Sequence, residues 1–309
     1  MASVLISHTD SLSHDMGSGH PERPARIGAI MDALAKPEFA HLGRMDAPIA
    51  TSADILRVHP EAYYLALSEV APAVGRIQLD ADTIMNSGTW QAALRSSGGA
   101  VLAVDEVMSG RIQTAFVATR PPGHHAEKAT PMGFCFFNNV AIAARHAQAK
   151  FGAERVAIID FDVHHGNGTQ DIFYDDKSVL YASTHQMPLY PGTGEKSECG
   201  THNQIVNAPL RAGDDGAVFL AALSEVILPR IDDFAPDLIL ISAGFDGHHL
   251  DPLGNLRLEA DDFYQATNML MDLAQKRCHG RLVSVLEGGY DLTGLATSAA
   301  AHVRALMGQ

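Results

Sequence analysis

The chain has 309 residues, 46% of them hydrophobic and 19% charged, a composition with ample core and nothing disordered or low-complexity in it. Its formal net charge of −14 opposes binding to a phosphate backbone, and no Lys/Arg cluster reverses it locally, so no nucleic-acid partner is expected. Cys135, Cys199 and Cys278 are scattered and form no CxxC pair, which excludes a disulfide framework and points to a reducing, cytoplasmic compartment.

Short apolar runs alternate with longer helical patterns along the chain. VLIS at 4–7 reads as a first strand, because the N-terminal MASVLISHTDSLSHD has no basic n-region and no cleavage site for a signal peptide. Helices are expected at 24–35 and 89–108, followed by a strand, TAFVAT, at 114–119. A helix at 139–151 precedes the strands RVAIID at 155–160 and SVLYAS at 178–183. Then come a helix at 215–234, the strand DLILISA at 237–243, a helix at 261–276, the strand RLVSVLEGG at 281–289 and a helix at 292–307. Near-continuous apolar strands between helices predict an α/β fold with a parallel sheet covered on both faces. No linker interrupts the pattern, so one domain over 1–309 is expected, and with no apolar run of membrane-spanning length no membrane association is expected.

In open α/β sheets, ligands gather beyond the carboxyl ends of the strands. Four strands here run straight into polar, Gly-rich segments: RPPGHHAE after 119, DFDVHHGNG after 159, AGFDGHHLDP after 242 and EGGYD after 286. Asp160, Asp162 and His164 have period-two spacing, so in an extended segment they face one way. Asp162 and His164, joined by Asp246 from another strand end, make a three-ligand metal site with positions left open for water and substrate. Taken alone, an Asp-x-His is more often a hydrogen-bonded loop pair, but four polar strand ends coincide here.

Two carboxylates around a divalent cation weaken its pull on the pKa of bound water, so such a site needs a separate base. His124 and His125 supply imidazoles, and Asp160 and Asn167 are the available orienting partners. Tyr290 follows two glycines at a strand end, where its hydroxyl can donate to an oxyanion. Gly133 and Phe134 in PMGFCFFNN, with Tyr190 in PLYPGTG, are placed to wall a narrow slot. The remaining histidines, among them His8, His14, His20, His59, His185, His248 and His249, read as structural or solvated.

RPPGHHAE, GFCFFNNVAIAA, DFDVHHGNGTQ, SAGFDGHHLDPLG and EGGYD, in this order over almost the whole chain, resemble the histone deacetylase family, class II and bacterial amidohydrolase-like members above all. HPERPARI resembles that family's opening signature. The resemblance implies the arginase/deacetylase fold, a three-layer arrangement about an eight-stranded, mainly parallel sheet, and zinc-dependent hydrolysis of an acetamide. It assigns Asp162, His164 and Asp246 as zinc ligands, with iron(II) as an alternative native metal. It makes His125 the general base and then acid, His124 its electrostatic partner paired with Asp160, Asn167 the neutral partner of His125, and Tyr290 the transition-state hydrogen-bond donor. Phe134 and Tyr190 would flank an acyl-lysine channel with Gly133, and Tyr190 stands where Phe is more usual. A structural potassium ion is implied at Asp160, Ser183, Thr184 and the backbones of Asp162 and His164. At the mouth, Asp82 is implied as a clamp on a peptide backbone. Leu253, where polyamine-selective relatives carry a carboxylate, favours N-acetyl-lysine-type substrates, in an acetylated peptide or small molecule, over acetylpolyamines. An arginase-like ureohydrolase and a non-catalytic acyl-binding protein are the other classes. The first would need a second metal, and the second would be expected to have lost a ligand or the tyrosine.

Overall fold

The computed structural model describes residues 3–309. Its strands, in chain order, are β1 (Ser3–Ser7), β2 (Gly43–Asp46), β3 (Arg76–Gln78), β4 (Ile84–Asn86), β5 (Thr114–Val117), β6 (Val156–Asp160), β7 (Val179–Gln186), β8 (Ile205–Leu210), β9 (Leu238–Ala243) and β10 (Leu282–Leu286). Eight of them form one sheet in the order β2-β1-β5-β10-β9-β6-β7-β8, with every pairing parallel. The other two, β3 and β4, make a small antiparallel hairpin.

Every residue of β5, β6, β9 and β10 is buried, as both-face coverage of a parallel sheet requires. On one face Phe161, Phe219, Phe245 and Phe263 pack with Ile239, Ile241 and Leu270. On the other, alanines and valines of the helices Thr89–Met108 and Asn139–Phe151 meet Ile158, Leu240 and Val283. Each Leu, Ile or Phe fully buried this way contributes about 1.5–3 kcal/mol. Asn138 caps the second helix by accepting the Ala141 N–H at 3.0 Å, and Gly152 ends it in the left-handed conformation.

The expected strands and helices are all present, within a few residues at their ends. Four strands are additional. β2 and β8 are the two edges of the sheet, and neither shows the apolar run of a central strand. GRMD in β2 is half exposed, and IVNAPL in β8 carries Pro209, which an edge strand accommodates because its missing N–H faces no neighbour. β3, with all three residues exposed, and the short β4 pair only with each other, and Met85 of β4 anchors the hairpin in a side cluster of the core. The helix expected at 215–234 runs as Gly216–Ala222, a π-turn at Leu223–Ile227, and Leu228–Phe234. Pro229, at the start of the last segment, has no N–H for the α-ladder, and the wider turn absorbs the gap. Among the described residues, no helix is long and apolar enough to cross a membrane.

Candidate active site

The four strands whose carboxyl ends carry the polar segments, β5, β10, β9 and β6, are consecutive in the sheet. Their loops therefore meet at one edge. β6 ends at Asp160, and residues beyond it bend, so Asp162 and His164 face one point through a turn and not through the pleat of an extended strand. His164 Nδ1 lies 3.1 Å from Asp162 Oδ1 and 3.1 Å from Asp246 Oδ2. One donor atom from each of Asp162, His164 and Asp246 lies within 4.8 Å of the others, all three residues buried. Backbone amides hold the carboxylates: Gly288 donates to Asp162 Oδ2 at 2.8 Å, His164 to Asp162 Oδ1 at 2.9 Å, and Val163 to Asp246 Oδ1 at 2.9 Å. A Cβ on Gly288 would collide with both carboxylates, which explains a glycine at this position of EGGYD.

Burial disfavours an imidazolium at His164, yet its two carboxylate neighbours push its pKa up to about 10, while burial and Asp162 push Asp246 up to about 7. Two carboxylates and an imidazole converging in a buried pocket, with amides fixing the outer oxygens, form a donor set that fits a divalent cation and leaves coordination positions free. Asp160 turns aside from this cluster. Its Oδ1 accepts the Asp162 N–H at 3.1 Å, and its Oδ2 accepts from His124 Nδ1 at 3.0 Å and from the Tyr181 hydroxyl at 3.1 Å.

The two tandem histidines have opposite electrostatics. Burial lowers His124, but Asp160 and Asp162 outweigh it and push the pKa up to about 10. Burial, and then the charge of His124, hold His125 well below the ordinary histidine value. The ring centroids are 4.0 Å apart, so a charge on one opposes a charge on the other. His125 Nδ1 lies 2.8 Å from Asn167 Oδ1. The Asn167 amide nitrogen donates to Glu127 Oε1 at 2.9 Å, which fixes the amide so that its oxygen faces His125. His125 therefore carries its proton on Nδ1 and keeps a lone pair on Nε2.

A channel of about 250 Å³ leads to this point, lined by Asp82, His125, Gly133, Phe134, His164, Leu189, Tyr190, Leu253 and Tyr290. Tyr190 stands edge-on to His125 at 5.1 Å, and Phe134 edge-on to Tyr290 at 5.7 Å. Gly133 has φ of 56°, and a Cβ there would strike the His125 ring. Tyr290 is buried. Burial raises its pKa well above the ordinary phenol value, so the hydroxyl stays a donor. The Arg26 guanidinium covers its ring at 4.7 Å, and Asp251 Oδ2 accepts its backbone N–H at 2.6 Å.

The structure thus brings Asp82, His124, His125, Gly133, Phe134, Asp160, Asp162, His164, Asn167, Tyr190, Asp246, Leu253 and Tyr290 to one channel and its floor. Ser183 pairs with Asp160 across β6 and β7, and Thr184 follows it. Several supporting groups escaped sequence reasoning. Glu287 accepts from Gly123 N at 2.7 Å and His124 N at 3.1 Å, bracing the histidine loop, and burial pushes its pKa up to about 7. Glu22 bonds Arg120 and Arg26, all fully buried, and Arg26 in turn holds the Gly289 carbonyl at 2.6 Å. The HPE and RPPG segments that carry these residues gave the signal, but their pairing needs the fold. His248, His249 and Glu259 also cluster. Their atoms are engaged within the fold, His248 Nδ1 accepting the Leu250 N–H at 3.2 Å and Glu259 capping the helix Ala260–Cys278.

Comparison with known proteins agrees with this geometry. Residues 20–306 match the family model of the histone deacetylase domain. A probable deacetylase of Archaeoglobus fulgidus is 41% identical over 300 residues, 95% of this chain and 83% of that protein. The histone deacetylase-like amidohydrolase of Pseudomonas aeruginosa is 39% identical over 280 residues, 88% of this chain and 73% of that protein. The crystal structure of the HDA15 HD domain matches with a TM-score of 0.93 at 35% identity, covering 100% of this chain and 90% of that one.

Proposed function

This chain belongs to the histone deacetylase domain family, and from that premise we propose that it is a zinc-dependent amidohydrolase that removes acetyl groups from N-acetyl-lysine-type substrates. The observation that carries the reading is a channel lined by the lone-pair imidazole of His125, the phenol of Tyr290 and His164, with the carboxylates of Asp162 and Asp246 gathered on His164.

Asp162, His164 and Asp246 would hold one divalent cation, zinc or iron(II), which supplies a Lewis acid for the acetyl carbonyl and for water. His125 Nε2 takes a proton from water as it attacks the carbonyl carbon, while Asn167 keeps Nδ1 protonated. The cationic His124 beside it favours the negative charge that develops. Tyr290 donates its O–H to the carbonyl oxygen as that oxygen becomes an oxyanion. His125 then returns the proton to the leaving amine, and acetate departs. Phe134 and Tyr190 flank the acyl-lysine stem and exclude water from it.

A structural potassium ion is part of the same reading, held by Asp160, Ser183, Thr184 and the backbones of Asp162 and His164. A fully buried carboxylate at Asp160 supports it, as does the Thr184 hydroxyl, buried with no hydrogen-bond partner among the described residues. We also propose one domain over 1–309, since β1 and β10 share a sheet, and a cytoplasmic setting, since all three cysteines are free thiols.

Leu253 offers a distant ammonium no counter-charge at its position, and the carboxylate that does line the mouth, Asp82, is assigned to a peptide backbone, which together favour acetyl-lysine over acetylpolyamine. The net charge of −14 pulls the other way, but a surface field is screened within about 8 Å at physiological ionic strength. The test compares kcat/KM for an acetyl-lysine peptide and for acetylputrescine. We expect the peptide to be preferred. A tenfold preference for the polyamine, about 1.4 kcal/mol, would overturn the substrate class, and no acetate release from either would overturn the deacetylase reading.

A further inference from the structure

The mouth of the channel is assembled from segments far apart in sequence, and one fully buried hydroxyl joins them. Thr83 Oγ1 donates to Asp82 Oδ1 at 3.0 Å and accepts the Phe134 backbone N–H at 3.1 Å. Phe134 needs such a support, because its φ of 69° is a conformation that bulky residues rarely adopt. The Asp82 side of the junction is built just as firmly. Asp80 Oδ1 accepts the N–H groups of Asp82 at 3.0 Å and Thr83 at 2.7 Å. His20 Nδ1 accepts the Glu22 N–H at 3.1 Å, which leaves its Nε2–H to donate to the Asp82 carbonyl at 3.2 Å. The His20 ring also meets the Phe134 ring edge-on at 4.8 Å.

We propose that Thr83 is a positioning residue for substrate: its hydroxyl couples Asp82, which would contact a peptide backbone, to Phe134, which walls the acyl-lysine stem, as one unit. The proposal rests on the acetyl-lysine reading above. Thr83 lies outside the lining of the channel and touches no reacting atom. Its loss should therefore weaken substrate binding and leave the chemical step nearly unchanged.

The test uses Thr83→Val, which keeps the side-chain shape and removes both hydrogen bonds, and Thr83→Ser, which keeps the hydroxyl. Binding of a fluorescent acetyl-lysine peptide is read by anisotropy in a Tyr290→Phe background, and KM and kcat are read in the parent. Thr83→Val should raise Kd and KM about tenfold, the scale of one lost hydrogen-bonded contact, with kcat within about twofold. Thr83→Ser should stay within about twofold of the parent. On an Asp82→Ala background the Val effect should shrink, because part of the coupling has already been removed. Thr83→Ala serves the same comparison if the Val chain does not fold. Parent-like binding by Thr83→Val, an equal loss in Thr83→Ser, or a fall in kcat without a change in KM would overturn the proposal. A parent that binds peptide but releases no acetate contradicts the catalytic reading alone, and a parent that binds no peptide contradicts both.

Discussion

Replacing Tyr290 with Phe removes one oxygen and little else. The ring keeps its edge contact with Phe134 at 5.7 Å and its place under Arg26 at 4.7 Å, and the backbone keeps its bond to Asp251 at 2.6 Å. The hydroxyl makes no hydrogen bond to another group among the described residues, so stability should change by less than about 0.5 kcal/mol. On the proposed mechanism, what is lost is the buried donor that meets the developing oxyanion. Removing one such donor costs about 2.7–4 kcal/mol of transition-state stabilisation, or about 10²–10³ in kcat. Initial rates of acetate release from an acetyl-lysine peptide, with metal content measured on the same samples, give kcat, KM and occupancy together. We expect kcat to fall by that factor with KM and metal content near the parent values. A kcat within about threefold of the parent would show that the phenol is a packing residue and would remove it from the mechanism.

Three further outcomes follow from the packing. Gly288→Ala should lose metal and activity together, because the new methyl displaces the Asp162 and Asp246 carboxylates, and full metal content in that variant would contradict the geometry. Glu22→Gln should destabilise by about 3–5 kcal/mol, because it leaves Arg26 and Arg120 charged and buried without a counter-ion, and a loss under about 1 kcal/mol in denaturant unfolding would refute this. Burial pushes His302 down from 6.5 to about 3. The unfolded chain then takes up that proton first as pH falls, so His302 contributes no loss of stability above pH 6.5 and costs about 1.4 kcal/mol per pH unit between pH 6.5 and about 3. The His302→Asn chain should show a shallower acid slope in denaturant midpoints, and an unchanged slope would count against it.

The central sheet was legible because buried parallel strands leave an unmistakable trace, such as VAII before Asp160 and LILIS before Ala243. The edge strands β2 and β8 were not, since an edge carries charge, Asn and Pro that a central strand excludes. Asp162, His164 and Asp246 were readable as a set because each follows a strand end, although the bend after Asp160 replaced the extended geometry expected there. The supporting groups were not readable. Glu22 meets Arg120 from 98 positions away, and Thr83 meets Phe134 from 51. Neither distance leaves a periodic mark, since such pairs are fixed only when loops from different strands are packed together. Glu287 stood in a quoted motif, yet only the fold shows its carboxylate holding the amides of Gly123 and His124.

The proposed activity depends most directly on one ion at Asp162, His164 and Asp246. Calorimetric titration of chelator-treated protein with zinc, comparing the parent and Asp246→Ala, measures it without reference to any substrate. We predict one tight equivalent for the parent and none for the variant, whose remaining Asp162 and His164 offer too few donors. A stoichiometric, equally tight equivalent in Asp246→Ala would contradict the site on which the proposed function rests.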